Sequence, residues 1–170
     1  RRLGELADKL DKFSYRVLKE DCLDLPEKVF TKRLVELTDE QKKVYRQMKE
    51  MALAILDDGK MMSTVNVMTQ LMRLHQVTCG HFKADDDTIT HLKNNRINSL
   101  MELLEETEGK VIIWANYVED IKNIVSSLKK AYGEDSTVEY HGAVDPKVRQ
   151  EQIALFQEKN GPARYFVGNA

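Results

Sequence analysis

The stretch that decides the fold is Lys110–Tyr117, KVIIWANY. Its centre, Val111–Ala115, is a short continuous apolar run, which is typical of a strand buried on both faces of a parallel sheet. Two further strands are predicted at Thr137–Tyr140 and Arg164–Val167. The two segments between the strands are each long enough for a helix. This alternation predicts an α/β fold with a three-stranded parallel sheet.

The two segments between these strands carry helix signals. The first has apolar residues at helical spacing over 118–128. The second opens with Asp145-Pro146, where aspartate suits the N-cap and proline suits the first helical position. Its inward face is predicted to comprise Val148, Gln152, Leu155 and Phe156. Residues 110–170 are therefore expected to form an α/β unit, which the family resemblance described below implies is a truncated lobe.

Residues 35–109 have mostly helical periodicity. Thr38 and Gln41 have the spacing of a capping box, in which each side chain satisfies a backbone group of the other residue. A helix is predicted to follow this box. Two more helices are predicted, over about 61–77 and about 96–107.

Three further expectations concern the upstream part of the chain. Apolar Met68, Leu71 and Met72 are predicted to be buried on the second helix of this half. The polar segment 83–93 is predicted to be an exposed loop, and the β-branched segment 29–37 a strand. With residues 1–34 as a linker and short helix, the predicted boundaries fall after residues 34 and 109.

Charge and composition limit the possible function classes. The 170 residues are 42% hydrophobic and 32% charged, as in a globular protein, and no apolar run is long enough to span a membrane. The 26 basic residues are outnumbered by 28 acidic ones. A self-sufficient DNA-binding module with a basic face is therefore disfavoured, and any nucleic-acid contact should be local and weak. Two cysteines, Cys22 and Cys79, form no disulfide framework and indicate a reducing, intracellular setting.

Several motifs, taken in order, resemble those of Swi/Snf-related motors of helicase superfamily two. They are Tyr15–Lys28 (the signature between the two lobes), Leu71–His81 (a helix ending in Cys-x-His), Lys110–Tyr117 (motif IV), Tyr140–Gly142 with Arg149 and Phe156 (the Y-x-G segment), and Tyr165–Ala170 (the strand entering motif V). The departures are one extra residue between Arg16 and Lys19, and Phe82 where proline is common.

The resemblance implies a fragment of an ATP-driven motor: the inter-lobe linker and the first part of the second RecA-like lobe. It implies ATP and magnesium as cofactors of the parent enzyme, with none bound by the fragment. It also implies double-stranded DNA as the track, the first ATPase lobe as a partner in cis, and a cytoplasmic, bacterial or phage-encoded protein. The fragment alone should be inactive, since its sequence has no G-x-x-x-x-G-K-[ST] loop. Either its helical half packs on the sheet or the fragment self-associates.

Six residues are candidate nucleic-acid contacts, and none is a candidate catalytic residue. Carboxyl ends of parallel strands are where open α/β sheets place ligands, and the resemblance implies backbone contacts there. For Asn116 the alternative is a helix N-cap, for the second-strand loop it is a plain turn, and for Arg149 a salt bridge. The six candidates are Asn116, Tyr117, His141, Gly142, Arg149 and Asn169.

Other interpretations stay open at this point. Cys79 and His81 could suggest a metal site, but a structural zinc site needs about four ligands and no second pair has suitable spacing. A buried cysteine and a packing histidine are expected instead. The helical half could be a stand-alone protein-interaction module. A small Rossmann-like domain is disfavoured, because the sequence lacks the G-x-G-x-x-G fingerprint.

Overall fold

The computed structural model describes residues 3–15, 17–18, 22–24, 26–57, 64–84, 86 and 88–169. The chain divides into two units, residues 1–34 and residues 35–170. In the first unit, helix α1 spans Leu3–Leu10, and Ser14 Oγ donates to the Leu10 carbonyl oxygen at 2.8 Å. Arg16, Lys19 and Leu25 of the inter-lobe motif lie outside the described residues.

The described part of the second unit contains helices, a two-stranded hairpin and a three-stranded sheet. In chain order its elements are α2 (Asp39–Asp57), α3 (Thr64–Cys79), β1 (His81–Lys83), β2 (Ile89–His91), α4 (Arg96–Glu105), β3 (Val111–Trp114), α5 (Val118–Tyr132), a 3₁₀ turn (Glu134–Ser136), β4 (Thr137–Tyr140), α6 (Pro146–Gln157) and β5 (Tyr165–Gly168).

The three-stranded sheet is parallel and has the order β3–β5–β4, so the last strand lies between the first two. Apolar residues of α4 and α5 pack with Tyr165 and Val167 of β5. Residues of α6 pack with Phe166. Because neighbouring residues of a strand face opposite sides of the sheet, α5 and α6 cover opposite faces. The predicted parallel α/β sheet is confirmed, and α4 of the helical half covers part of it.

Strand β3 differs from its prediction. Ile112 and Trp114 are 54% and 60% exposed, so only the other face of this strand is covered. The reason is the strand order. Strand β3 is an outer strand of the sheet, and α6 packs instead on Phe166 of the central strand β5 and on Val138 of β4. The central strand β5 is the one buried on both faces.

Both predicted helix starts are confirmed. Gln41 N donates to Thr38 Oγ1 at 3.2 Å, and Gln41 Oε1 accepts from Thr38 N at 3.1 Å. Gln41 is 1% exposed, and its Nε2 also donates to the Val77 carbonyl oxygen at 2.8 Å. The cap of α2 thereby fastens the last turn of α3. At α6, Lys147 N donates to Asp145 Oδ1 at 2.8 Å.

Two predictions about irregular segments are wrong. The segment 29–37 forms no strand. No described strand pairs with it, and side-chain propensity alone cannot provide hydrogen-bond partners for its backbone N–H and C=O groups. The segment 83–93 contains strand β2, which pairs antiparallel with β1. At the turn, Asp86 Oδ1 accepts from Thr88 Oγ1 at 2.6 Å, and this bond lowers the pKa of the Asp86 carboxyl.

The prediction of which helix residues are buried is also partly wrong. Met68, Leu71 and Met72 are exposed on α3, and Val77 of the same helix is buried instead. On α6, Val148 and Leu155 are exposed, contrary to the prediction. Phe156 faces the sheet as predicted, and Ile153 packs beside it. Amphipathic spacing defines a stripe, but the position of the partner element selects which side of the helix is covered. Residues 58–63, where the first two helices of this half were predicted to meet, lie outside the described residues.

Candidate nucleic-acid interface

The carboxyl ends of the three parallel strands meet at one edge of the sheet. Trp114, Gly168 and Tyr140 lie side by side as the last residues of β3, β5 and β4. Beyond them, Ala115 N donates to the Gly168 carbonyl oxygen at 2.8 Å, and Asn169 N donates to the Tyr140 carbonyl oxygen at 3.2 Å. The segments that follow the three strands therefore lie next to one another. They carry five of the six candidate residues.

Asn116 is exposed, and its side chain has no partner among the described residues. The N-cap position of α5 is occupied by Tyr117, with φ −118° and ψ 140°, and no side chain caps this helix. The alternative interpretation of Asn116 as a helix cap is therefore wrong. Its carboxamide offers both donors and an acceptor to a ligand.

The side chain of Tyr117 is held in place by contacts with other residues of the protein. Its hydroxyl lies 2.9 Å from His75 Nδ1 and 3.4 Å from the Met72 carbonyl oxygen of α3. Its ring packs edge-on against His81, with 5.4 Å between ring centroids. Burial raises the pKa of the Tyr117 hydroxyl, with smaller contributions from the neighbouring Cys79 and Asp120.

A buried polar cluster lies behind Tyr117. His81 Nδ1 is 3.2 Å from Asp120 Oδ1, with both side chains buried, and Arg96 Nη1 is 4.0 Å from Asp120 Oδ2. Burial, and then the Asp120 carboxylate, raises the pKa of the buried Cys79 thiol. This cluster ties α3, the hairpin and α4 to the first turn of α5. Cys79 and His81 are thus buried packing residues, as expected.

His141 is 5% exposed, and both its ring nitrogens are engaged inside the protein. Nε2 lies 2.8 Å from Glu139 Oε1, and Nδ1 accepts from Ala143 N at 3.2 Å. Because Nδ1 accepts a backbone hydrogen bond, the proton of a neutral ring is on Nε2 and is donated to Glu139. The imidazole therefore shapes the loop after β4.

Gly142 is exposed in that loop. A Cβ atom added to Gly142 would meet no atom within 4 Å, and its backbone does not have the positive φ that favours glycine. Neither packing nor backbone conformation therefore requires glycine here. A ligand that approaches the backbone closely would require it.

Arg149 lies in α6, with its guanidinium 5.6 Å from the centroid of the Tyr140 ring. Its Nε is buried and has no hydrogen-bond partner among the described residues, and no carboxylate there pairs with it. The salt-bridge alternative is thus not seen in the described part of the chain. Asn169 is half-buried, and its backbone N–H is bonded to Tyr140.

His75 is the residue of this region that the sequence interpretation missed. It lies within the motif ending in Cys79-Gly80-His81, but neither charge nor spacing distinguished it from other surface residues of α3. Its contact with Tyr117 spans 42 residues, so only the tertiary structure shows it. Within the described residues, no group of three or more His, Cys, Asp or Glu residues could hold a metal ion.

The amino-terminal ends of the strands, opposite the candidate interface, are engaged in packing. Lys110 Nζ donates to the Phe156 carbonyl oxygen and, at 2.6 Å, to that of Glu158 at the end of α6. Arg164 Nε donates to the Gly109 carbonyl oxygen at 2.9 Å, and its Nη2 reaches the Thr107 carbonyl oxygen after α4. Cations near helix carboxyl ends are stabilising. The lysine of the motif IV resemblance is therefore far from the candidate interface.

Comparison with known proteins gives two kinds of relative, and no family profile matches the chain. An uncharacterised ATP-dependent helicase of Mycoplasma genitalium is 26% identical over 129 residues, which are 74% of this chain and 12% of the helicase. A putative ATP-dependent helicase/translocase of Bacillus subtilis is 25% identical over an alignment of 174 positions, which covers 95% of this chain and 18% of the relative. The chain thus spans less than a fifth of the length of these two relatives.

Solved structures of a Sulfolobus solfataricus SWI2/SNF2 ATPase have the same fold. Its C-terminal domain matches with a TM-score of 0.62 and 20% identity, over 80% of this chain and 60% of that domain. Its core in complex with double-stranded DNA matches with a TM-score of 0.66 and 23% identity, over 98% of this chain and 36% of the core. The chain is therefore similar in sequence to two proteins named as ATP-dependent helicases, and it has the fold of a SWI2/SNF2 ATPase C-terminal domain, as its motifs predicted.

Proposed function

We propose that this chain is part of the second lobe of an ATP-dependent DNA translocase and contributes contacts to the DNA backbone. The observation that supports this most is the meeting of three strand ends, which brings Asn116, Gly142 and Asn169 to one edge of the sheet. Open α/β sheets bind ligands at this edge. A structural relative has been solved with double-stranded DNA.

The chemistry of this edge suits a phosphate backbone better than a base sequence. An exposed carboxamide at Asn116 and the open backbone at Gly142 can donate to phosphate oxygens without reading base identity. Arg149 adds a cation, and its burial against Tyr140 limits its rotation. Binding should therefore be independent of sequence.

In the whole motor we assign ATP and magnesium to the interface with the first ATPase lobe, the partner in cis. Closure of two lobes around ATP would move this lobe along one DNA strand. We place the protein in the cytoplasm of a bacterium or of a phage-infected cell, where DNA is the track. The described residues contain no helix long and apolar enough to cross a membrane.

The test is binding of a short fluorescein-labelled DNA duplex by the 170-residue chain, followed by fluorescence anisotropy. With a net charge of −2, binding should be weak and should fall steeply between about 50 and about 200 mM salt. Asn116→Ala should weaken it several-fold. The matched control is Asn160→Ala, which removes an exposed carboxamide that precedes β5 at the opposite edge. Sub-micromolar binding at physiological salt, or equal effects of both variants, would contradict the proposal.

A second candidate function is a protein-interaction module in the helical half. It is favoured by one observation, the exposed apolar residues Met68, Leu71 and Met72 on α3. Met72→Lys would disrupt such a surface. Met72 bonds to the Tyr117 hydroxyl through its backbone carbonyl oxygen, which the substitution leaves in place. DNA affinity that persists in Met72→Lys, together with loss in Asn116→Ala, favours the motor over the module.

A further inference from the structure

The guanidinium of Arg149 is a cation that neither a hydrogen bond nor an ion pair holds within the described part of the chain. Only its Nε is both buried and without a partner, so its two terminal amino groups are open to solvent. A buried donor without a partner costs free energy, and in a folded protein it calls for an explanation.

Two carboxylates of the neighbouring segments are engaged elsewhere. Asp145, one helical turn before Arg149, accepts from Lys147 N at 2.8 Å. On β4, Glu139 Oε1 lies 2.8 Å from His141 Nε2. These acids serve the helix cap and the loop after β4, so they leave the charge of Arg149 uncompensated.

The contact that does hold the guanidinium is an aromatic ring. Arg149 Cζ lies 5.6 Å from the centroid of the Tyr140 ring, which is within the range of a cation–π interaction. The ring in turn packs on Phe166 of the central strand, with 5.5 Å between the centroids and 33° between the planes. Phe166 is buried, so the sheet fixes the ring on which the guanidinium lies.

This pair of side chains lies at the same end of the sheet as the candidate interface. Tyr140 is the last residue of β4, and its carbonyl oxygen accepts from Asn169 N at 3.2 Å. Arg149 is the fourth residue of α6, which begins after the loop at that end. A cation near the amino end of a helix is unfavourable in itself, because the helix dipole is positive there. The guanidinium and the helix end together suit an anion.

We propose that Tyr140 is a positioning residue of the nucleic-acid interface, whose ring holds Arg149 so that its terminal amino groups donate to a phosphate oxygen of DNA. This inference rests on the proposed function and adds a residue outside the six candidates. Tyr140 acts on DNA only through Arg149. Because Arg149 carries a charge, the contact should displace a counterion and contribute to the salt dependence of binding.

Duplex binding by variants of the 170-residue chain tests this assignment. Arg149→Ala should weaken binding about ten-fold, and it should lower the slope of log affinity against log salt by about 1. Tyr140→Leu keeps an apolar side chain on Phe166 but removes the ring, so it should weaken binding about three-fold and lower the slope in the same direction. Tyr140→Phe keeps the ring and should bind like the unmodified chain. Equal losses in Tyr140→Leu and Tyr140→Phe would overturn the ring contact.

The double variant separates positioning from a structural role. Once Arg149 is replaced by alanine, Tyr140→Leu should have no further effect on affinity, because there is no guanidinium left to hold. A structural role would weaken binding by the same factor in both backgrounds and would leave the salt slope unchanged. Either of these two results would overturn the positioning role of Tyr140.

Lys159→Ala is the matched control. It removes an exposed cation that precedes β5, at the amino-terminal ends of the strands. Its affinity and salt slope should equal those of the unmodified chain, and a decrease in slope equal to that of Arg149→Ala would overturn a specific role for Arg149. In ¹H NMR spectra of the unmodified chain, the side-chain protons of Arg149 should show ring-current shifts. Unshifted protons would overturn the contact with Tyr140 even if no Tyr140 variant folds.

The two proposals fail in distinguishable ways. If the unmodified chain binds no duplex even at low salt, the proposed function is wrong and Tyr140 has no DNA contact to position. If the chain binds and Asn116→Ala weakens binding, but Tyr140→Leu does not, only the assignment of Tyr140 is overturned. Circular dichroism of each variant shows whether a loss of binding is a loss of fold.

Discussion

Two glycines at the candidate interface show how differently the same residue type can be constrained. Gly168 ends β5, and a Cβ atom there would lie 2.7 Å from the Tyr140 carbonyl oxygen and 3.3 Å from Phe166 Cε1. At Gly142, in the loop beside it, an added Cβ atom would meet no atom within 4 Å. Packing requires glycine at the first position and not at the second.

The first prediction follows from this difference. Gly168→Ala should lower the free energy of unfolding by about 1–3 kcal/mol, because the added methyl group forces backbone and aromatic side chains apart. Gly142→Ala should leave it unchanged within about 0.5 kcal/mol. Urea unfolding followed by circular dichroism measures both. Equal stabilities of the two variants would contradict the close packing of β5 against β4.

Cys79 gives a prediction about alkaline pH. Burial, reinforced by Asp120, raises the thiol pKa above its ordinary value of 9.0 in the folded chain. The unfolded chain therefore loses this proton at a lower pH than the folded chain does. The stability gained by keeping the thiol neutral is fully present below the unfolded pKa and is lost as pH rises through the folded pKa.

Unfolding free energy should therefore fall between about pH 8 and about pH 10, and it should fall less in Cys79→Ala. Some decrease should remain, because burial also raises the pKa of Tyr117 and Tyr165. Cys22→Ala, which removes an exposed thiol, is the control and should keep the full decrease. A Cys79→Ala profile parallel to that of the unmodified chain would show that this thiol does not contribute.

At the scale of elements, the helical half depends on one polar side chain more than on its methionines. Gln41 closes the capping box of α2 and also donates to the Val77 carbonyl oxygen near the end of α3. The exposed Met68 and Met72 contribute little burial. The packing of α2 against α3 is thus anchored by a buried hydrogen-bond network at one end.

Gln41→Ala should therefore destabilise the chain by about 2 kcal/mol, because it removes the hydrogen bonds that this buried side chain makes with Thr38 N and with the Val77 carbonyl oxygen. Lys42→Ala is the neighbouring control: its ion pair with Asp39 is exposed and 3.9 Å long, so its loss should cost less than about 0.5 kcal/mol. Chemical denaturation of both variants measures the difference. A loss in Gln41→Ala no larger than that in Lys42→Ala would mean that the cap does not couple the two helices.

At the scale of the whole molecule, the 170-residue chain should show no ATPase activity, with or without DNA. Its sequence contains no G-x-x-x-x-G-K-[ST] loop, and P-loop ATPases hold the phosphates of ATP with such a loop. Phosphate release above that of a protein-free blank would contradict this prediction. An active helicase assayed in parallel shows that the conditions support hydrolysis.

The open face of β3 makes a second property of the whole molecule measurable. Ile112 and Trp114 present apolar surface beside the buried Phe166. Large exposed apolar surface commonly mediates association. Self-association of the chain stays a prediction, and light scattering of the unmodified chain and of Ile112→Lys tests it: association should decrease in the variant.

Elements with local causes could be predicted from the amino-acid sequence. The run of apolar residues at 111–115, the capping box at Thr38 and Gln41, and the Asp145-Pro146 helix start were all found where predicted. Each depends on residues within one or two turns, and such signals are visible in a linear chain. The order of the motifs also sufficed for the resemblance to Swi/Snf-related motors.

The faces that are covered and the distant residues that meet could not be predicted from the sequence, because they depend on how the elements pack. The same apolar pattern is half open in β3 and fully buried in β5, because β5 lies between two strands and β3 lies at an edge. The contact of His75 with Tyr117 joins residues 42 positions apart. Burial and polar pairing depend on what packs against a residue, and that partner comes from elsewhere in the chain.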